Sequence, residues 1–208
     1  MRRILIGVVA ASLMLVGIAG PATARGHAGP PAGGNAAAPA PGDDSIAEVA
    51  IKAGFVELVG ALAYVDEELE AGLVDLFLNG TDQYTVFAPT NEAFEGLYGL
   101  LSSVLDAEID GITDVPAEVV LDVLTYHVTE GRRAANSVVP RVGERTITPL
   151  LGETFQVRTD LSIQDGLTGV RDGDAQIVGA NISASNGVIH VIDQVIVPPS
   201  VVAALTED

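Results

Sequence analysis

The sequence contains no cysteine and no tryptophan, and Lys52 is its single lysine. Without cysteine the chain cannot form disulfides, use a thiolate, ligate zinc through sulfur or carry a lipobox lipid anchor. Aromatic residues make up 4% of the 208 residues, whereas hydrophobic residues make up 48%. We therefore expect one domain with additional segments, and a core built from Val, Leu, Ile and Ala.

Basic residues are also scarce. The chain has 10 Lys and Arg residues against 28 Asp and Glu residues, which gives a formal net charge of −18. Such a surface repels phosphate backbones, so the composition argues against a nucleic-acid partner. An acidic surface favours solubility, and it is also compatible with salt adaptation or attraction of cations.

The N-terminus has the features of a secretory signal. Arg2 and Arg3 precede an apolar run, and the small residues of Ala22-Thr23-Ala24 form a typical cleavage site. The run is shorter than the roughly 20 residues that a membrane helix needs. We predict a signal peptide over residues 1–24, cleavage after Ala24, no integral membrane anchor afterwards, and a secreted or periplasmic product.

The next segment, residues 25–42, consists almost entirely of Ala, Gly and Pro. It offers few side chains for a core, so we predict a disordered linker. The composition changes abruptly at Asp43, and we predict a single domain over residues 43–208.

Helix signals dominate the first part of this domain and strand signals the last part. Ser45 and Glu48 have the spacing of a capping box, Gly54 is placed to end that helix, and Thr90 is placed to cap a later one. Short strands are expected over residues 84–87, 145–150, 154–158, 161–164 and 175–182. Helices followed by antiparallel strands indicate the α+β class.

The segment from Asn186 to Pro199, NGVIHVIDQVIVPP, begins with a turn dipeptide and ends with two prolines. Strand alternation places apolar residues on both faces, so we predict a long strand that is buried on both sides and bent midway. The residues assigned to the two faces are Ile189, Val191, Val195 and Val197 on one, and Val188, Ile192 and Ile196 on the other. His190 and Asp193 are the polar exceptions.

Three blocks resemble, in order and spacing, the signature blocks of the fasciclin-like domain family. They are TVFAPTNEAF (Thr85–Phe94), LTYHV (Leu124–Val128) and SNGVIHVIDQVIVPP (Ser185–Pro199). The signature positions that match are Thr85, Phe87, Ala88, Pro89, Thr90, Asn91, Phe94, Asn186, Gly187, His190 and Asp193. The resemblance implies a twisted β-sandwich or wedge with helices on one side, in which the first and last blocks form neighbouring central strands.

The resemblance also implies adhesion or matrix association outside the cell, and it gives Tyr126 and His127 a part in adhesion. Because an unpaired buried imidazole costs about 1–3 kcal/mol, we interpret the histidines instead as hydrogen-bonded parts of a structural clasp. Arg171-Asp172-Gly173 has the letters of an adhesive tripeptide in another order, and we interpret Asp172 to Asp174 as a hairpin turn.

Catalytic and metal sites find little support in the sequence. Ser185, His190 and Asp193 are candidates for a triad, but no G-x-S-x-G elbow presents a nucleophile, and a regular strand places His190 and Asp193 on opposite faces. Neither an H-E-x-x-H motif nor a phosphate-binding loop is present. We therefore predict no catalytic residues, no metal and no cofactor.

Two non-enzymatic hypotheses follow. The first is an adhesion or interaction module that binds a protein or polysaccharide at the cell surface or in the extracellular matrix. The alternative is a carrier of a small apolar ligand such as a carotenoid or lipid, because some fasciclin-like proteins resemble secreted binders of carotenoid pigment. The aliphatic composition is compatible with such a carrier, but the low aromatic content argues against this hypothesis.

Overall fold

A computed structural model describes residues 40–206 of the chain. The predicted signal peptide and all but the last three residues of the predicted linker lie outside the described residues. Ala40 and Gly42 contact the domain, because Gly42 N–H donates to the Ala184 carbonyl at 3.2 Å and the Ala40 carbonyl accepts from Arg132 at 3.1 Å.

Most of the described helices lie in the first part of the domain, and five of the strands follow one another in the last part. The helices are α1 (Ile46–Ala53), α2 (Val56–Leu69), α3 (Leu73–Asn79), α4 (Asn91–Leu105), α5 (Ala117–Tyr126), α6 (Ala135–Val138) and α7 (Pro199–Thr206). The strands are β1 (Tyr84–Pro89), β2 (Val128–Glu130), β3 (Glu144–Ile147), β4 (Phe155–Arg158), β5 (Ser162–Gln164), β6 (Ala175–Ala184) and β7 (Gly187–Ile192). The predicted α+β class is confirmed.

The local capping predictions are confirmed. Ser45 and Glu48 form a reciprocal capping box at the start of α1, and Gly54 ends that helix in the left-handed conformation. The Thr90 side chain accepts a hydrogen bond from Ala93 N–H at the start of α4. These contacts lie within four residues of one another, so the sequence pattern is sufficient to specify them.

The seven strands form one sheet in the order β2-β1-β7-β6-β5-β4-β3. β1 pairs with β7 in parallel, from Tyr84 opposite Gly187 to Pro89 opposite Ile192, and all other pairs are antiparallel. The first and last signature blocks are therefore neighbouring central strands, as the resemblance implied. The later strands, β3 to β7, pair antiparallel with one another as predicted, and the one parallel pair joins β7 to β1.

The sheet wraps until its two edges approach each other. β6 carries irregularities at Gly179, and this long strand pairs with β5 at one end and β7 at the other. Thr129 of β2 donates through its hydroxyl to the Thr148 carbonyl at 2.8 Å, and Leu150 N–H donates to Val128. These contacts join β2 to the residues after β3 and leave the sheet nearly closed.

Two apolar cores lie on opposite faces of the sheet. The larger core packs the sheet against α1, α2, α4 and α5, and the smaller one fills the wrapped side. Phe87, Tyr126 and Phe155 are at the centre of the smaller core, with ring centroids 5.1 Å and 5.5 Å apart in edge-to-face geometry. The core is therefore less exclusively aliphatic than the composition predicted.

The first residue of β7 has no room for a side chain. A Cβ atom on Gly187 would lie 2.2 Å from the Tyr84 carbonyl oxygen and 2.6 Å from Cδ1 of Ile46. We expect Gly187→Ala to lower the free energy of unfolding by about 1–3 kcal/mol, because β1 and β7 must separate. Gly96→Ala is the matched control, since a Cβ there meets nothing within 4 Å on an α-helix. Urea unfolding should show a lower free energy of unfolding for Gly187→Ala and no such loss for Gly96→Ala. Equal unfolding midpoints for the two variants would contradict this packing.

Candidate functional site

Tyr126 and His127 lie at the end of α5 and are buried inside the domain. Tyr126 is 0% exposed and His127 is 2% exposed. The Tyr126 hydroxyl donates to the Thr154 carbonyl at 3.0 Å, and burial raises the pKa of this phenol. Neither side chain is accessible to a protein partner while the domain is folded.

The two ring nitrogens of His127 bond to two different parts of the chain. Nδ1 lies 2.6 Å from the Val123 carbonyl oxygen, and Nε2 lies 3.2 Å from the backbone nitrogen of Ile196. A carbonyl must accept and an amide must donate, so the ring is neutral with its proton on Nδ1. His127 therefore joins the end of α5 to the segment that follows β7.

That segment lacks a partner strand, although its residues are buried. β7 ends at Ile192, which is opposite the last residue of β1, and the predicted long strand stops there. The alternation nevertheless continues, because Val195 and Val197 pack in the larger core and Ile196 in the smaller one. We call Val195–Val197 the pinned segment, because side chains replace the missing ladder.

Three side chains bond to consecutive residues of the pinned segment. Arg171 donates through Nη1 to the Val195 carbonyl at 2.7 Å, and Ile196 N–H donates to His127. Val197 N–H donates to Oδ2 of Asp165 at 2.8 Å. The backbone polar groups that a sheet neighbour would satisfy are thus satisfied from residues far away in sequence.

Asp165 and Arg171 also form a buried ion pair. Their side chains are 0% and 8% exposed, and Nη2 of Arg171 lies 3.2 Å from Oδ1 of Asp165. Burial raises the pKa of the Asp165 carboxyl, while Arg171 and the amides of Val197 and Leu167 act in the opposite direction. This pair was not predictable from the sequence, because an Asp six residues before an Arg carries no distinctive signal.

His190 is a second neutral connector. Nε2 lies 2.9 Å from the Arg133 carbonyl oxygen, and Nδ1 accepts a long hydrogen bond of 3.4 Å from Asn181 N–H. Its ring also lies 5.6 Å from that of Phe87. Burial lowers the pKa of His190, so its imidazole stays neutral near pH 7.

Asp193 does not join His190 in a catalytic arrangement. Its Oδ1 accepts from Gln176 N–H at 2.7 Å, which ties the end of β7 to the start of β6. Ser185, the third member of the candidate triad, donates its N–H to the Asp44 carbonyl. In residues 40–206, no cluster of three His, Asp or Glu side chains is arranged to hold a metal ion.

The other polar signature positions also bond to backbone. Asn186 accepts from Ile46 N–H at 2.8 Å and donates to the Phe77 carbonyl at 3.0 Å. Thr85 donates to the Gly131 carbonyl at 2.6 Å and accepts from Arg133 N–H at 2.8 Å. Asn91 donates to the Gly54 carbonyl at 2.9 Å and accepts from Glu57 N–H at 3.2 Å. The apolar signature positions are buried, and these are Phe87, Ala88, Pro89 and Phe94.

The burial of His127 makes the domain sensitive to acid. Desolvation lowers the pKa of His127 from its usual 6.5 to about 4. Between these values the unfolded chain binds a proton that the folded chain excludes, so stability is full above pH 6.5 and falls as the pH drops. We expect His127 to account for a loss of about 2 kcal/mol between pH 7 and pH 5. Urea unfolding at both pH values should show that the free energy of unfolding of His127→Ala falls by about 2 kcal/mol less than that of the unsubstituted protein. Identical pH dependence in both proteins would contradict this.

A cavity of about 240 Å³ lies beside His127. It is lined by residues of α2, α4, α5, α7, the pinned segment and the connection between α4 and α5, and Asp114 and His127 are the only lining residues that are not apolar. The apolar lining residues are Leu58, Ala61, Pro89, Phe94, Leu97, Leu101, Leu105, Ile109, Ile112, Val115, Pro116, Val119, Val120, Val123, Leu124, Val195, Val197, Val201 and Leu205. These residues are spread from Leu58 to Leu205, so no sequence motif indicates the position of the cavity.

Comparison with known proteins gives consistent matches. A family model described as the fasciclin domain matches residues 55–198. Protein sll1483 of Synechocystis sp. is 37% identical over 161 residues, which are 76% of this chain and 76% of that protein. Immunogenic protein MPB70 of Mycobacterium bovis is 30% identical over 131 residues, which are 63% of this chain and 57% of MPB70.

Longer proteins match over smaller shares of their length. Human periostin is 31% identical over 141 residues, which are 67% of this chain and 14% of periostin. Among solved structures, a FAS1 domain pair from the insect cell adhesion molecule fasciclin I superposes with a TM-score of 0.54. That match has 13% sequence identity and covers 76% of this chain and 52% of the other, so it supports the fold alone.

Proposed function

This chain belongs to the fasciclin domain family, and on that premise we propose that it is a secreted, non-catalytic binding module that attaches to a protein or polysaccharide outside the cell. Its relatives include a protein named as a cell surface glycolipoprotein, 32% identical over 132 residues. We carry that name over to this chain only as attachment at a cell surface or matrix.

One observation supports a binding role over a chemical one. Every polar signature side chain, including Tyr126, His127, His190 and Asp193, bonds to the backbone of its own domain. Those groups stabilise the fold and are not presented to a substrate. We therefore assign partner recognition to the outer surface of the domain. The block that contains Tyr126 and His127 contributes only indirectly, by stabilising the fold.

The proposed location follows from the N-terminal sequence. A signal peptide over residues 1–24 directs export, and the linker over residues 25–42 lets the domain reach a partner. Within residues 40–206, no helix is long and apolar enough to cross a membrane. The formal charge of −18 favours a partner that is not itself strongly acidic.

Direct binding to the envelope of the producing cells tests the proposal. We expect the purified, folded protein to bind an envelope or matrix fraction saturably and to be displaced by unlabelled protein. Heat-unfolded protein is the control for nonspecific adsorption. Failure of well-folded protein to bind at both low and physiological salt would contradict the proposal.

The apolar cavity supports a second candidate function, that of a carrier for a small apolar ligand. The cavity is larger than the ~150 Å³ apolar cavity that admits benzene. Protein purified from its own producing cells should then release an apolar compound on organic extraction. A featureless visible spectrum together with an extract free of lipid and pigment would exclude this function.

A further inference from the structure

The cavity beside His127 is an almost wholly apolar space of about 240 Å³ that the surrounding side chains do not fill. Its walls come from four helices and from the pinned segment. The residues at its rim include Leu105, Asp114 and Pro116, whose side chains are exposed to solvent. A ligand could therefore enter between the end of α4 and the start of α5.

We propose that this cavity binds one short, uncharged aliphatic chain and discriminates against an anionic headgroup. The inference rests on the second candidate function and adds the chemical class of the ligand. An apolar lining offers water few hydrogen-bond partners, so an entering chain displaces no well-bonded water. Each methylene buried there should strengthen binding about fourfold until the cavity is full.

The polar groups of the lining give no support to an anion. Both nitrogens of His127 are already bonded, to Val123 and Ile196, and the ring is neutral. None of the lining residues is a lysine or an arginine. A carboxylate or phosphate would therefore lose its hydration without gaining a charged or side-chain partner.

The electrostatics of the rim act in the same direction. Asp114 is the charged residue of the lining, and its Oδ2 accepts from the amides of Asp110 and Gly111. The C-terminal end of α4, at Leu105, adds the negative end of a helix dipole. α5 begins near the same rim, but Glu118 in its first turn already complements the positive end of that helix.

The size of the cavity narrows the ligand further. Pockets that hold drug-sized ligands are about 300–1,000 Å³, and this cavity is smaller at about 240 Å³. A full carotenoid polyene does not fit inside such a volume, whereas a single alkyl chain or one end of an isoprenoid does. The expected ligand is thus smaller than the carotenoid that the sequence analysis suggested.

Competition with a neutral fluorescent probe tests this assignment on the mature protein. N-phenylnaphthylamine should brighten on binding, and decanol and decanoate should then compete at neutral pH and low salt. We expect decanol to compete about tenfold more effectively than decanoate, because the carboxylate lies near Asp114. Added salt should narrow the difference.

Matched variants test whether the probe binds in this cavity and whether Asp114 causes the preference for decanol over decanoate. Val119→Trp narrows the cavity from a half-buried position and should abolish probe binding, whereas Val178→Trp, which is 59% exposed on β6, should not. Asp114→Asn should reduce the difference between decanol and decanoate in competing with the probe. Asp82→Asn, at an exposed position outside the cavity, should leave that difference unchanged. Circular dichroism and thermal unfolding confirm that each variant is folded.

The outcomes separate the ligand class from the carrier function. Equal competition by decanol and decanoate would overturn the headgroup preference and leave the carrier function standing. Probe binding that Val119→Trp leaves unchanged would overturn the assignment to this cavity. Absence of any probe binding would overturn both, and surface attachment is tested independently by envelope binding.

Discussion

Arg171→Met should lower the free energy of unfolding by about 3–5 kcal/mol, the largest loss expected from a single charged residue of this domain. The substitution leaves the Asp165 carboxylate, which is 0% exposed, without its cationic partner. It also removes the donor to the Val195 carbonyl and so loosens the pinned segment. Methionine keeps much of the aliphatic volume, so lost packing contributes little.

Arg158→Met is the matched control, because Arg158 pairs with Glu144 and Asp174 at the surface and is 34% exposed. An exposed pair contributes about 0–1 kcal/mol. Urea unfolding should therefore separate the two methionine variants clearly. Adding Asp165→Asn to Arg171→Met should recover part of the loss, since the uncompensated charge is removed. Equal midpoints for the Arg171 and Arg158 variants would show that the buried pair does not stabilise the domain.

His127→Ala should cost about 2–4 kcal/mol, because it combines a lost side chain with unsatisfied backbone groups. Ile196 N–H loses its acceptor in a buried position, and the Val123 carbonyl loses a donor. The deleted ring also enlarges the neighbouring cavity. Since 1 kcal/mol shifts the melting temperature of a domain this size by about 2–4 °C, thermal unfolding should detect the change readily.

Binding measurements distinguish this clasp from an adhesive motif. At a temperature where the variant is folded, His127→Ala should bind the envelope fraction as the unsubstituted protein does. His190→Gln serves as a comparison, because the amide retains a donor and an acceptor in a similarly buried position. Lost binding with an unchanged melting temperature would show that His127 contacts the partner directly.

The parts of the fold that the sequence predicted are those governed by neighbouring residues. Ser45 with Glu48, and Thr90 with Ala93, lie within one helical turn of each other, so their residue types suffice. The acidic patch at Asp66 shows the limit of such patterns. The Asp66 carboxylate accepts from the backbone N–H groups of Leu73 and Val74, seven and eight residues away, and so caps the start of α3 without a recognisable local motif.

The segment after β7 shows why the rest was not predictable. Its alternation indicated burial on both faces, which is confirmed, but pairing requires a neighbour, and β1 ends at Pro89 opposite Ile192. Proline and the turn into α4 remove that neighbour. The substitute partners of Ile196 and Val197 lie 69 and 32 residues away, at separations where one sequence gives no signal.

The family resemblance supplied the fold and the central strand pair but not the roles of the signature residues. It associated Tyr126 and His127 with adhesion, while the structure places both side chains in the interior. Neither the pair of Asp165 and Arg171 nor the apolar cavity followed from the motifs. Both depend on how α5, the turn after β5 and the pinned segment meet in three dimensions.

Nitrogen NMR of the imidazole of His127 tests most directly the claim that this residue is a buried structural clasp. The account predicts a neutral ring protonated at Nδ1 near pH 7, with no titration until about pH 4. The backbone amide of Ile196 should also show strong protection from hydrogen exchange. A ring that titrates near pH 6.5 and exchanges rapidly with solvent would contradict the account.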